Sequence, residues 1–134
     1  MDRGEQLVQL LNTKVKDSIN STFQAEFVHW NDCYQIPSDS EVVINATSIG
    51  LFPDTSARLN IDPKTLSAEM VVADVIPNPP KTQFVKDATE RGCKVIDGLE
   101  MLVAQGVIGI EYWTGQSPDS AVMRKGLEDV FGSS

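Results

Sequence analysis

The residues from Val42 to Gly50 constrain the fold of this chain more than any other stretch. Three apolar residues, Val42–Ile44, run directly into Asn45, Ala46, Thr47 and Ser48. This pattern predicts a buried strand that stops at the edge of a sheet and opens into a polar loop. Ligands bind beyond the carboxyl ends of strands in open α/β sheets, so these small polar residues are candidates for ligand contact. The same residue types favour turns, and a purely structural strand end is the competing interpretation.

Strands and helices alternate along the rest of the chain. In order, the sequence predicts a helix at 4–16, a short edge strand at 25–29, a strand at 41–45, a capped helical turn at 62–64 and a strand at 70–76. It then predicts a helix begun by Thr82 and stopped by Gly92, a strand at 93–96, a helix at 99–113, and a final helix that follows Pro118–Ser120 and runs to Val130. Buried strands that alternate with helices imply a parallel sheet with helices on its faces. The helix at 99–113 is apolar on almost every side, which predicts burial on every side.

The phosphate-binding motif of a complete dinucleotide fold is missing from this sequence. A doubly wound nucleotide-binding sheet begins with a strand and a glycine-rich turn that leads into a helix. No Gly-x-Gly-x-x-Gly occurs here, and the chain opens directly on a predicted helix. We therefore expect an α/β fold, a partial Rossmann-like, doubly wound parallel sheet that lacks the first strand and the glycine-rich loop. It would occupy residues 1–131, with residues 132–134 as a disordered tail.

The composition argues against several classes of function. The 134 residues carry a formal net charge of −8, whereas nucleic-acid binding needs clustered Lys and Arg. No apolar run approaches the roughly 20 residues of a membrane-spanning helix, and residues 1–5 lack the apolar core of a secretory signal. Cys33, Cys93 and the single histidine, His29, have no metal-ligand spacing and form no nucleophile–base pattern. We expect a cytoplasmic, single-domain protein with reduced cysteines and no metal, membrane or nucleic-acid partner.

Two later blocks turn the fold prediction into a family prediction. Asp74–Thr82 (DVIPNPPKT) and Asp97–Gln105 (DGLEMLVAQ) follow Asn45–Gly50 (NATSIG), and Trp113–Gly115 comes after them. In order and approximate spacing these blocks resemble the shikimate dehydrogenase family, and the resemblance covers nearly the whole chain. It implies the C-terminal, cofactor-binding half of an enzyme that interconverts 3-dehydroshikimate and shikimate, or in some members acts on quinate, with NADP or NAD.

The resemblance also implies roles for individual residues. The loop of Asn45, Ala46 and Thr47 would line the ribose on the nicotinamide side, and Val75 would pack near the nicotinamide. Gly98 would lay its backbone against the cofactor. The full set implied to contact the cofactor is Arg3, Asn45, Ala46, Thr47, Val75, Gly98 and Met101.

For Gln105 and Arg3, physical reasoning offers a structural explanation beside the role that the resemblance implies. A glutamine on an otherwise apolar helix costs about 1–3 kcal/mol if it is buried without a partner. Gln105 therefore has a partner within the protein or faces a polar cleft, where the resemblance implies a hydrogen bond to a substrate hydroxyl. Arg3 resembles a residue that binds the adenosine 2′-phosphate, which a guanidinium suits by charge and geometry. A solvated terminal arginine is the favoured alternative.

The chain departs from the family at several points. Pro77 stands where many members carry a tyrosine that helps line the substrate pocket, which puts the identity of the substrate in doubt. The N-terminal substrate domain, with the Lys and Asp that act as acid and base, has no counterpart here, so we assign no catalytic residue. Asp74 and Asp97 end predicted strands and are interpreted as loop caps. We expect no appreciable turnover by this chain alone, and whether it binds the cofactor alone stays open.

The competing prediction is a non-catalytic association module, or a truncated shikimate dehydrogenase-like protein. A sheet that lacks central strands leaves exposed ladder edges, which proteins cover or pair. Either way, we expect a homodimer or a strand-swapped oligomer.

Overall fold

The computed structural model describes residues 3–15 and 24–131. The predicted tail at 132–134 and the end of the first predicted helix, Lys16, lie outside these residues. Contacts divide the chain into two compact units, Met1–Asp32 and Cys33–Ser134, which we describe separately. Within residues 3–15 and 24–131, no helix is long and apolar enough to cross a membrane.

The first unit contains the predicted helix but not the predicted strand. Helix α1 (Arg3–Leu10) continues into a π-helical segment, Leu11–Val15. Residues 25–29 form no strand, so that prediction is wrong. The Asn12 side chain hydrogen-bonds the backbone of Ala25 twice. Its Nδ2 donates to the Ala25 carbonyl and its Oδ1 accepts from the Ala25 N–H, at 2.7 Å each. These groups therefore pair with a side chain instead of a sheet ladder.

The second unit is built on three parallel strands. They are β1 (Val42–Asn45), β2 (Val71–Asp74) and β3 (Lys94–Ile96), in the spatial order β1-β2-β3. In this register Asn45 lies opposite Asp74, and Ala73 lies opposite Ile96. The three carboxyl ends therefore meet at one edge of the sheet. The prediction of a partial Rossmann-like sheet is confirmed.

Four helical segments complete the second unit. A 3₁₀ turn at Pro63–Thr65 is capped by Asp62, as predicted. The α-helices are α2 (Gln83–Glu90), α3 (Gly98–Thr114) and α4 (Ser120–Phe131). The backbone N–H of Val85 donates to Thr82 Oγ1 at 3.2 Å, which confirms Thr82 as the N-cap of α2. Both cysteines are free thiols, and Cys93 packs against the core just before β3.

The core lies on one face of the sheet, and this corrects the prediction for β1. Alternate residues of β1 and β2 point into the core, which consists of Ile36, Leu66, Met70, Val72, Phe84 and Ala88. The other side chains of β1 are exposed: Val42 by 56% and Ile44 by 61%. The strand exists where predicted but is buried on one face only, because no described element covers the side chains of Val42 and Ile44.

Helix α3 is also less buried than its composition predicts. Its buried residues are Gly98, Leu99 and Val103, all in its first two turns. Farther along, Tyr112 is 87% exposed and Trp113 is 80% exposed. Within the part of the chain that the structure describes, α4 is the main element packed against this helix. The prediction of burial on every side is therefore wrong for the chain as it stands.

Candidate functional site

A buried carboxylate lies at the carboxyl edge of the sheet. Asp74 ends β2 and is 2% exposed. Its oxygens accept hydrogen bonds from Thr82 Oγ1 at 2.6 Å, from the Ile76 N–H at 2.9 Å and from Asn45 Nδ2 at 3.3 Å. Neutral donors thus satisfy this charge, and together they join both strand ends to the start of α2. This arrangement agrees with the interpretation of Asp74 as a loop cap.

Asn45 connects Asp74 by hydrogen bonds to the loop after β1. While its amide nitrogen donates to Asp74, its Oδ1 accepts from the Thr47 N–H at 3.1 Å and from Thr47 Oγ1 at 2.8 Å. Thr47 Oγ1 in turn accepts from the Ile49 N–H at 3.1 Å. Asn45 is 2% exposed, so its side chain is buried and its described hydrogen bonds are to other groups of the protein. Ala46, Thr47, Ser48 and Ile49 are exposed, so they form the outer surface of this loop.

The loop after β2 is tied to the loop after β1 by backbone hydrogen bonds. The Val75 N–H donates to the Asn45 carbonyl at 3.1 Å, and the Phe52 N–H donates to the Asn78 carbonyl at 3.1 Å. Val75 and Pro77 are half-buried. The two loops therefore form a continuous ledge beyond the strands, which is where open α/β sheets bind their ligands.

Gly98 brings the start of α3 against this ledge. It is buried, and a Cβ at this position would overlap the carbonyl of Ile76 and lie 2.6 Å from the nitrogen of Pro77. Only a glycine allows the two backbones to approach so closely. The polar strand ends and the first turn of α3 are therefore parts of one site.

Met101 and Gln105 occupy successive turns of α3 on one face. Gln105 is exposed, and its Nε2 donates to the Met101 sulfur at 2.8 Å. A thioether is a weak acceptor. Gln105 therefore has a weak hydrogen-bond partner within the protein. Because its amide is also exposed, it remains able to bind another polar group.

Asp97 begins α3 and is held by an arginine that sequence reasoning missed. Burial alone would raise the pKa of Asp97. The hydrogen bond and charge of Arg124, with the amide hydrogens of Glu100 and Leu99, more than offset this and lower the pKa below its ordinary value. Arg124 lies 27 residues farther along, so no local pattern could have revealed the pair. Its spacing of four residues from Glu128 was the one available signal.

An exposed arginine and a surface groove are further candidate binding features. Arg3 is exposed at the start of α1, in the unit that we describe separately. A groove of about 410 Å³ between α2 and β3 is lined by Lys81, Lys86 and Asp97 among others, but by none of the residues that the resemblance assigns to the cofactor. Among the described residues, no three His, Cys, Asp or Glu side chains are grouped to hold a metal ion.

Comparisons with known proteins point to one family. The model of the Shikimate 5′-dehydrogenase C-terminal domain matches residues 98–128. The shikimate dehydrogenase (NADP(+)) of Methanococcus aeolicus is 39% identical over 91 residues, which are 68% of this chain and 33% of that protein. Among solved structures, ligand-free 5-ketofructose reductase of Gluconobacter sp. strain CHM43 is similar, with a TM-score of 0.84 and 45% identity, over 96% of this chain and 44% of that one. A shikimate dehydrogenase in complex with NADP+ has a TM-score of 0.64 and 35% identity, over 69% of this chain and 32% of that one.

The matched part of these proteins is consistent from one comparison to the next. The chain spans between a third and a half of the length of the relatives it matches, and the family model that it meets is that of a C-terminal domain. The chain belongs to the shikimate dehydrogenase family, in which it corresponds to the C-terminal, Rossmann-like part.

Proposed function

We propose that this chain is the cofactor-binding part of an NADP- or NAD-dependent oxidoreductase that interconverts a ketone and an alcohol, with shikimate or quinate as the alcohol. The carboxyl-edge site carries this proposal. Asn45 and Asp74 order two adjacent loops, and Gly98 lets the first turn of α3 meet them. The Methanococcus relative is named for NADP(+), which supports that cofactor.

The proposed roles follow the exposure of each group. Ala46 and Thr47 present their exposed surface to the ribose, while Val75 lies near the nicotinamide through its backbone. Gly98 and Met101 lie against the cofactor from the first turn of α3. Gln105 hydrogen-bonds a substrate hydroxyl with the amide atoms that Met101 leaves available. A bound nicotinamide supplies the hydride, and the residues of this chain hold and orient it.

The chain holds the cofactor without completing the reaction. In this proposal residues 1–131 are a portion of a nucleotide-binding domain, and the proton-transferring pair belongs to a substrate domain outside this sequence. A positioned acid and base typically contribute a factor of about 10²–10⁴ to the rate. We therefore expect no appreciable turnover by the chain alone. Exposed Val42 and Ile44 on the edge strand favour self-association as a homodimer or strand-swapped oligomer.

A keto-sugar is the second candidate substrate, and one observation favours it. The 5-ketofructose reductase shares 45% identity over 96% of this chain, against 35% over 69% for the NADP+-bound shikimate dehydrogenase. Pro77 also replaces the tyrosine that the resemblance places in the substrate pocket. Saturation-transfer NMR with NADP+-loaded protein can compare shikimate, quinate and 5-ketofructose. A signal from 5-ketofructose alone would replace the first candidate by the second.

Cofactor binding is the experiment that tests the proposed function. We expect calorimetry to detect NADPH binding with a Kd of about 0.1–1 mM, because the ledge is present and the glycine-rich phosphate loop is not. Thr47→Val should weaken binding several-fold, since it removes the hydroxyl that Asn45 and Ile49 share. Thr55→Val, in the same loop but away from these contacts, is the matched control. No heat from NADPH or NADH at millimolar concentration, with folded protein, would refute the proposal.

A further inference from the structure

Arg124 of α4 has all its side-chain nitrogens engaged by carboxylates. Its Nη1 and Nη2 donate to the two oxygens of Asp97 at 2.7 and 2.6 Å. Its Nε donates to Glu128 at 2.8 Å, and Nη1 also reaches Glu100 at 3.3 Å. The Arg124 side chain is 28% exposed and that of Asp97 is 18% exposed. A two-pronged contact of this kind fixes orientation as well as distance.

The partner of Arg124 controls the geometry of the first turn of α3. Asp97 Oδ1 accepts from the Glu100 N–H at 2.9 Å, and the Asp97 carbonyl accepts from the Met101 N–H at 3.3 Å. Gly98 follows directly and lies against the loop after β2. Any rotation of the Asp97 carboxylate therefore disturbs the N-cap of the turn that carries Gly98 and Met101.

We propose that Arg124 is a positioning residue for the dinucleotide. By clamping both oxygens of Asp97, it holds the first turn of α3 at the distance from the ledge that cofactor binding needs. Affinity for the cofactor then depends on a residue of α4 that acts through Asp97. This inference rests on the proposed function, since it names a further residue that supports the same site.

Direct recognition of a cofactor phosphate is the alternative role for this arginine. Its surroundings argue against that role. Three carboxylates, from Asp97, Glu100 and Glu128, surround one guanidinium, so the cluster as a whole is negatively charged. A phosphate would have to approach this negative cluster and compete with carboxylates that already bind every nitrogen of the guanidinium.

The chain offers a matched control on the same helix. Lys125 is the next residue, and its ammonium pairs with Asp129 at 3.6 Å, with both side chains mostly exposed. Arg124→Met and Lys125→Met remove the same charge from α4, but only the first breaks the contact with α3. Arg124→Lys keeps the charge and loses the two-pronged geometry, so it separates position from charge.

The first readout is the Kd for NADPH, measured by calorimetry at a temperature at which circular dichroism shows every variant folded. We expect Arg124→Met to weaken binding about tenfold, Arg124→Lys to restore less than half of that loss, and Lys125→Met to change the Kd less than about twofold. A lower melting temperature for Arg124→Met with an unchanged Kd would reduce Arg124 to a structural role and overturn the proposal.

The second readout does not depend on the cofactor. Amide hydrogen exchange should be faster in Arg124→Met at Leu99, Glu100 and Met101, while the amides of α2 keep their wild-type rates. Lys125→Met should leave both sets unchanged. If wild-type protein fails to bind NADPH, the proposed function fails, and this local exchange still decides whether Arg124 orders the turn. Exchange that rises equally in α2 and α3, or in neither, would contradict the positioning role.

Discussion

Replacing Asp74 by alanine is expected to lower the free energy of unfolding by about 3–5 kcal/mol, because three buried donors lose their acceptor at about 1–3 kcal/mol each. These donors are the Thr82 hydroxyl, the Ile76 N–H and the Asn45 amide. A domain is stable by only about 5–15 kcal/mol in total, so this loss would be a large fraction of the stability of the protein. Urea denaturation followed by circular dichroism measures the change.

Two comparison variants make the Asp74 prediction specific. Asp129 is an exposed carboxylate whose only described ion pair is with Lys125, and Asp129→Ala should change stability by less than about 0.5 kcal/mol. Asp74→Asn keeps the shape and one acceptor oxygen but turns an NH₂ group towards other donors. Its loss of stability should therefore fall between those of Asp74→Ala and Asp129→Ala. An Asp74→Ala loss no greater than that of Asp129→Ala would show that the buried network does not organise the site.

Replacing Gly98 by alanine is expected to disturb cofactor binding and stability together. The added Cβ would overlap the Ile76 carbonyl, and since the obstacle is backbone, no side chain can turn away to make room. Overpacking of this kind costs about 1–3 kcal/mol, and the start of α3 must move away from the ledge. We expect the Kd for NADPH to rise at least about tenfold, by calorimetry on folded protein.

Gly126 provides the control for this substitution. It lies inside α4 with no atom within 4 Å of an added Cβ. Gly126→Ala should therefore stabilise the protein by about 0.5–1 kcal/mol, as alanine does in a helix, and leave the Kd unchanged. If Gly98→Ala behaves like Gly126→Ala in both measurements, the close approach of α3 to the ledge has no functional importance.

The elements that sequence predicted well are those with local causes. Thr82 and Asp62 cap their helical segments, and Gly115 ends α3 in a left-handed conformation, because each of these effects acts within a few residues. The three strands follow from apolar runs that are cut off by polar or proline-rich turns. Their parallel order followed from the alternation of strands and helices.

The predictions that were wrong depended on what packs against a segment. Residues 25–29 have the pattern of a weak strand, but the Asn12 side chain hydrogen-bonds the backbone N–H and carbonyl of Ala25. The composition of α3 predicts burial on every side, yet Tyr112 and Trp113 are exposed. The prediction failed because composition does not reveal which elements pack against a helix. The pairing of Arg124 with Asp97 spans 27 residues and has no local signature.

The site itself was only partly accessible to physical reasoning. The polar residues after β1 indicated a ligand-facing loop or a structural strand end, and ligand contact at this loop stays a prediction. Asn45 is buried in the network around Asp74, whereas Ala46 and Thr47 are exposed. The individual roles of Val75, Gly98 and Gln105 came from the family resemblance, since nothing in their local sequence points to a dinucleotide.

The most direct test of this account is to map the dinucleotide on the protein by amide chemical shifts. Titration of labelled protein with NADP+ should shift the amides of residues 45–50, 75–76, 78 and 98–101, while those of Lys81, Lys86 and Thr89 in the groove between α2 and β3 stay in place. That result would establish the carboxyl edge as the cofactor site. Shifts confined to the groove around Lys81 and Lys86, or no shifts at millimolar NADP+, would contradict the account.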